Sequence, residues 1–246
     1  MKTYFVSDLH LGTPNYQDSL TREKLFVTFL DEIKNETKQI FFLGDMFDYW
    51  YEYKYCVPRG FVRFLGKMAE LTDNGIEIHF FTGNHDMWIF DYLPQETGII
   101  LHREPLCTEI SGKKFYLAHG DGLGPYDKSF KIMKKFFTNR VAQWFYSKIH
   151  PNISMGFAHR WSQERRKKKN KSPKLQFLGE EEWLIIYSRK ILTQQHFDYF
   201  VFGHRHVPSF YKLSEKSFYI NVGDWLKHFT FAVFDGEEME LKKYSH

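Results

Sequence analysis

Five short apolar runs, each closing on a loop of metal-binding side chains, constrain this chain more than any other feature. The loops are Asp8-Leu9-His10, Gly44-Asp45, Gly83-Asn84-His85-Asp86, His119-Gly120-Asp121 and Gly203-His204-Arg205-His206. Each follows residues rich in Phe, Ile, Val, Leu or Tyr, the mark of a buried strand. Carboxylates, imidazoles and one carboxamide gathered from several strand ends make a ligand set for a pair of divalent cations. Such a pair points to phosphate-ester hydrolysis.

The runs predict strands over Thr3–Ser7, Gln39–Leu43, Ile76–Phe81, Phe115–Ala118, Tyr199–Phe202, Phe218–Val222 and Thr230–Phe234. Between the early ones, Leu25, Phe26, Phe29, Leu30 and Ile33 share one helical face, as do Phe61, Phe64, Leu65, Met68 and Leu71. This alternation implies an α/β sheet carrying helices on its faces, with chemistry at the carboxyl ends of the strands. The hairpin-like C-terminal runs imply a mixed sheet. After His119 the character changes. Phe130, Met133, Phe137, Val141 and Trp144 form one long aromatic stripe at helical spacing, followed by Phe157, Trp161 and the basic run from Arg165 to Lys171. A further helical pattern runs from Glu180 to Gln194. The expectation is a single domain over 1–246, with residues 126–178 inserted as a helical lid over the site.

Asp8 and His10 alternate around Leu9, so both can face one cation. Asp45, after a glycine that permits close backbone approach, is assigned as the carboxylate that bridges two cations. Asn84 supplies a neutral carbonyl oxygen, and His119, His204 and His206 complete the set. His85 is the expected catalytic group that is not a ligand. As an imidazolium it would stabilise developing charge or protonate the leaving oxygen, with Asp86 orienting it. The alternative is that His85 only hydrogen-bonds locally.

Aromatic residues make up 19% of the 246-residue chain, more than one core requires, and the formal charge of +4 suits a phosphorylated substrate or an anionic surface. Only Cys56 and Cys107 occur, without metal-type spacing, which favours a reducing compartment. No apolar run reaches the ~20 residues needed to span a bilayer, and the start shows no cleavage pattern. These features place the expected location in the cytoplasm, peripheral on the inner face of the cytoplasmic membrane.

The ordered set from Asp8 to His206 resembles the calcineurin-like metallophosphoesterase superfamily, whose pattern is D-x-H, G-D, G-N-H-[DE], H and G-H-x-H. That resemblance implies a four-layer α/β/β/α sandwich. It also implies one metal on Asp8, His10, Asp45 and His206, and another on Asp45, Asn84, His119 and His204. Manganese is the usual metal, with iron or zinc in some members. Ser7-Asp8-Leu9-His10-Leu11-Gly12, Gly44-Asp45-Met46-Phe47-Asp48-Tyr49-Trp50 and Gly203-His204-Arg205-His206-Val207-Pro208 look like one branch, the UDP-2,3-diacylglucosamine pyrophosphatases of lipid A biosynthesis. Such enzymes give UMP and 2,3-diacylglucosamine 1-phosphate (lipid X), and the aromatic stripe would then accommodate acyl chains. The branch carries Arg where this chain has His85. In the element after His119, only Leu123 and Asp127 match it. Trp50 matches a family Trp and either lines the substrate pocket or sits in the core. Lys168, Lys171 and Lys174 are candidate phosphate contacts by region alone.

The expected partners are therefore a nucleotide-lipid substrate and an anionic membrane surface, the latter reached through the basic run and its aromatic neighbours. A nucleic-acid partner ranks below both. The competing activities are hydrolysis of another nucleotide, nucleic-acid or phosphoprotein ester, and a non-catalytic scaffold that keeps the fold.

Overall fold

The computed structural model describes residues 1–124, 128–157 and 176–245. One sheet is built from β1 (Lys2–Val6), β2 (Thr37–Phe42), β3 (Glu77–Phe81), β4 (Ile100–His102), β10 (Thr230–Phe234) and β11 (Met239–Lys243), in the order β11-β10-β1-β2-β3-β4. The other contains β5 (Leu106–Ile110), β6 (Lys113–Ala118), β7 (Tyr199–Phe202), β8 (Ser209–Ser214) and β9 (Ser217–Asn221), in the order β5-β6-β7-β9-β8. The seven expected strands are all present. The four that the sequence did not announce, β4, β5, β8 and β11, are the outer strands of the two sheets.

Period-two alternation sorts the strand residues into layers. Tyr4, Val6, Ile40, Phe42, Ile78 and Phe80 face outward from the first sheet, against α1 (Tyr16–Ile33) and α2 (Val62–Asp73). The intervening Phe5, Phe41 and Phe81 face the second sheet and meet Phe115, Leu117, Val201 and Ile220. On the far side, Tyr116, Ala118, Phe200 and Phe202 pack on Leu184 and Ile185 of α7 (Trp183–Leu192). The result is the four-layer α/β/β/α sandwich. Helix α1 starts where Asn15 accepts the Asp18 N–H at 2.9 Å, and Glu23 of α1 accepts the Arg63 and Phe64 N–H groups at the start of α2. A short helix, α3 (Tyr92–Thr97), joins the first core through Leu93.

Between β6 and β7 the aromatic stripe spans two helices, α4 (Lys128–Phe137) and α5 (Arg140–Tyr146), followed by α6, described over 151–157. The break falls at Asn139, whose side chain accepts the N–H groups of Val141 and Ala142 at 2.9 and 3.1 Å and so starts a new helix. These helices attach to the loops after β2 and β3 by hydrogen bonds. Tyr49 and Tyr146 join hydroxyls at 2.7 Å, Tyr51 donates to the Gln143 carbonyl at 2.9 Å, and Trp88 donates to the Phe137 carbonyl at 2.8 Å. Tyr53 and Ser154 also pair.

Candidate metal centre

Strands β1, β2 and β3 run parallel in one sheet, as do β6, β7 and β9 in the other. Their carboxyl ends pair in register to within one residue, Val6 with Phe42, Phe42 with Phe80, and Ala118 with Phe202. The loops that follow therefore emerge at one level, where all seven predicted ligand residues meet. Asp8, His10 and His206 have ligand atoms within 4.8 Å of one another, and so do Asp45, His119 and His204. The Asp45 Oδ2 lies between the two groups, 3.8 Å from His10 Nε2 and 3.3 Å from His119 Nε2.

The backbone is strained to achieve this. Asp8, His10, Asp45, His204 and His206 all have positive φ, between 46° and 65°. A side chain in that region costs on the order of 1 kcal/mol or more, and such residues collect at functional sites. Hydrogen bonds offset the cost. The His10 N–H donates to the Asp45 carbonyl at 3.0 Å, and the His204 N–H to Asp8 Oδ2 at 2.8 Å. Buried Arg22 donates to the carbonyls of Leu9, His10 and Thr13, which clamps the first loop. Two glycines allow the loops to close up: a Cβ on Gly83 would sit 2.6 Å from the Asp45 nitrogen, and one on Gly203 2.7 Å from Asp8 Oδ2.

Charge is the dominant feature. Burial disfavours an ionised Asp45, but His119, His85 and His10 outweigh it and hold the carboxyl well below its usual range. Burial likewise opposes a charged His119, yet Asp45, Asp8 and Asp121 together lift its pKa to about 10. His204 goes the other way, to about 3, through burial and the neighbouring His119. Without cations this cluster balances its carboxylates with a buried imidazolium. Two buried ligand atoms of the cluster, Asp8 Oδ1 and His119 Nε2, carry no hydrogen bond, and neither does the buried Oδ1 of Asn84, the residue before His85. Polar atoms rarely stay unpaired when buried, so orphaned oxygen and nitrogen donors around two carboxylates fit divalent cations. His119 Nδ1 is 2.7 Å from the Leu43 carbonyl, which can only accept; that nitrogen therefore carries hydrogen and Nε2 faces the centre.

His85 stands at the centre's edge, its ring 4.8 Å from that of His10. Its expected partner is corrected here. Asp86 is fully buried and accepts the N–H groups of Gly83 and Met46 at 2.7 and 2.8 Å, which shapes the loops carrying Asp45 and Asn84. The His85 ring instead donates from Nδ1 to the Asp48 carbonyl at 2.8 Å. Burial lowers the His85 pKa, with Asp45 acting against it, so the side chain is held toward the neutral form and not as the expected imidazolium. Trp50 is also corrected. It is wholly buried, packs 4.3 Å from Phe47 and donates to Glu52 at 3.0 Å, so it belongs to the core beneath the loop. Asp127, Lys168, Lys171 and Lys174 lie outside the described residues.

Two carboxylates went unassigned in the sequence. Asp48 Oδ1 lies 3.5 Å from His10 Nδ1, and Asp224 Oδ2 lies 3.4 Å from His206 Nδ1. Gly223-Asp224 after the Phe218–Val222 run repeats the Gly44-Asp45 pattern, and that signal would have found it.

The sequence model of the calcineurin-like phosphoesterase family matches residues 1–208. The chain belongs to that family. Calcineurin-like phosphoesterases bind a dimetal centre, and this member, a metal-dependent hydrolase, has ligand clusters for one. Among phosphoesterases of known name it is 42% identical over 253 residues to UDP-2,3-diacylglucosamine hydrolase of Porphyromonas gingivalis, a match covering 98% of this chain and 97% of the relative. It is 26% identical over 241 residues to the enzyme of the same name from Shewanella piezotolerans, again covering 98% and 97%.

Proposed function

We propose that this phosphoesterase hydrolyses the pyrophosphate of UDP-2,3-diacylglucosamine to UMP and 2,3-diacylglucosamine 1-phosphate, a step of lipid A biosynthesis. The observation that carries the reading is an apolar cavity between the loop after β3 and helices α4 and α5. It has a volume of about 730 Å³ and is lined by Trp88, Ile132, Phe136, Phe137, Val141 and Phe145 among others. Trp88 lies three residues beyond His85, so the loop that carries the catalytic candidates also contributes to the cavity wall. A water-soluble phosphate ester has no use for such a lining, whereas acyl chains attached to a pyrophosphate do. The near full-length similarity to enzymes named UDP-2,3-diacylglucosamine hydrolase supports the same substrate.

In this reading Asp8, His10, Asp45 and His206 hold one divalent cation, and Asp45, Asn84, His119 and His204 the other. Manganese suits their mixed oxygen and nitrogen donors, and iron and zinc accept a similar set. The cations supply Lewis acidity toward phosphoryl oxygens and the attacking water. His85 is anchored through Nδ1 on the Asp48 carbonyl, so Nε2 accepts from water at the phosphate while the ring is neutral and donates to the leaving oxygen only once it has taken up a proton. Asp86 holds the two ligand loops in register.

Helices α4 to α6, within residues 126–178, act as the lid over the acyl chains. The apolar face that lines the cavity is itself open: Ile132, Phe136, Val141 and Phe145, with Trp144 close by in sequence, are between 55% and 73% exposed. Lys131, Lys135, Arg140 and Lys148 flank them, with Lys148 lying 5.0 Å over the Trp144 ring. Aromatic and basic residues on one face suit the surface of an anionic bilayer. No helix among the described residues is long and apolar enough to cross one. The proposed location is the inner face of the cytoplasmic membrane. Lys167, Lys168 and Lys169 of the basic run, outside the described residues, would add to the attraction.

The test is turnover of UDP-2,3-diacylglucosamine with added manganese, scored against a generic aryl phosphodiester. Rapid metal-dependent release of UMP and lipid X is expected. Turnover of the aryl diester alone would keep the hydrolase and discard the lipid substrate.

A further inference from the structure

The loop after β9 also reaches the metal centre. Asp224 in this loop is 2% exposed and uses both oxygens. Its Oδ1 accepts the N–H groups of Leu226, Lys227 and His228 at 2.9, 2.7 and 3.2 Å, which fixes the carboxylate in a tight turn. Its Oδ2 is 3.0 Å from His228 Nδ1 and 3.4 Å from His206 Nδ1. His206 turns its other nitrogen, Nε2, to Asp8 Oδ1 at 3.2 Å. The adjoining Trp225 N–H donates to the Asp8 carbonyl at 3.2 Å, so one turn braces both residues.

The two candidate metal positions differ in what stands behind their imidazoles. At the Asp8–His10–His206 position, each ring has a buried carboxylate at its Nδ1, Asp48 for His10 and Asp224 for His206. At the other position, His119 rests on the neutral carbonyl of Leu43. A carboxylate behind an imidazole fixes its tautomer and orientation and raises its basicity as a ligand, while a carbonyl does only the first two. Two such carboxylates add negative charge directly behind the imidazoles of this position, where the other has the single carboxylate of Asp121 near His119 and His204.

We propose that Asp224 is a positioning residue of the metal centre: acting through His206, it makes the Asp8–His10–His206 position the tighter of the two and the first to fill. The proposal rests on the two-cation reading given above. Asp224→Asn preserves the shape but offers one carbonyl oxygen where the carboxylate had two, so the turn and His206 can no longer both be served. Asp224→Ser keeps an oxygen that can cap the turn but cannot reach His206.

The test titrates metal-free protein with Mn²⁺ and follows free Mn²⁺ by electron paramagnetic resonance. The wild-type chain should take up two ions in two distinguishable steps. Both variants should weaken the tighter step by about tenfold to a hundredfold and leave the weaker step in place. Their turnover should recover as Mn²⁺ is raised to saturation, which a merely structural defect would not allow. Two steps in the wild type with either no change in both variants or an equal loss in both steps would overturn the proposal alone. A turnover deficit that saturating Mn²⁺ does not relieve would do the same. Fewer than two ions on the wild-type chain would overturn the two-cation reading, and the proposal with it.

Discussion

Gly83→Ala and Gly66→Ala are the same substitution and should act in opposite directions. At Gly83 the new Cβ would lie 2.6 Å from the Asp45 nitrogen and 2.8 Å from Asp45 Cγ. Neither atom can move freely, because the Asp45 carboxylate is fully buried and also accepts the His85 N–H at 2.8 Å. Restoring an ordinary 3.4 Å contact requires roughly 0.8 Å of separation from the Asp45 nitrogen and roughly 1.1 Å from Asp45 Oδ1, the nearest atom. Overpacking of this kind costs about 1–3 kcal/mol. The displacement is several times the ~0.2 Å tolerance of a metal–ligand distance, so the bridging carboxylate is carried out of place. At Gly66, an exposed position of helix α2, a Cβ meets nothing within 4 Å, and alanine should stabilise by about 0.5–1 kcal/mol. For a chain of this length each kcal/mol moves the melting temperature by roughly 2–4 °C. Calorimetry should therefore find Gly66→Ala higher by a few degrees with full Mn²⁺ content, and Gly83→Ala lower with Mn²⁺ binding impaired. A Gly83→Ala protein that binds Mn²⁺ and turns over like wild type would refute the close-approach argument.

Other substitutions separate site from core. His119→Ala should leave the fold intact, reduce bound Mn²⁺ from two to one and abolish turnover; near-normal activity would remove His119 from the centre. Trp50→Ala should cost about 3–5 kcal/mol in chemical denaturation and leave KM unchanged, since the ring fills the core; a raised KM at unchanged stability would return Trp50 to the pocket. His79 Nδ1 and His102 Nε2 share one hydrogen bond at 3.0 Å, and burial, with His79 adding to it, lowers His102 to about 4. The unfolded chain takes up this proton near pH 6.5 and the folded chain only near 4, so stability should fall as pH drops through that window. His102→Phe should flatten the acid limb of a melting-temperature profile, and an unchanged limb would count against it.

The interior strands were legible because both of their faces are buried, which leaves nearly unbroken apolar runs such as Ile40-Phe41-Phe42 and Tyr199-Phe200-Val201-Phe202. The outer strands β4, β5, β8 and β11 have solvent on part of their surface, and Lys, Glu, Ser and His interrupt their patterns. The ligand residues stood out because polar clusters after apolar runs have no packing rationale. Asp86 and His85 are neighbours in sequence, yet the sharp turn directs them to different partners, which spacing could not reveal. The reach of Asp48 to His10 and of Asp224 to His206 depends on how two loops cross, and that is a property of the assembled sheets. Trp50 carried a motif's position but not its exposure. The aromatic stripe kept its helical period across Asn139, where the backbone itself restarts.

The account stands on a two-cation centre shared by Asp45. Anomalous diffraction at the manganese edge from crystals grown with Mn²⁺ tests it most directly. Two peaks about 3.5–4 Å apart are predicted, one among Asp8, His10, Asp45 and His206, the other among Asp45, Asn84, His119 and His204. A single peak, or a pair in which Asp45 touches only one ion, would contradict it.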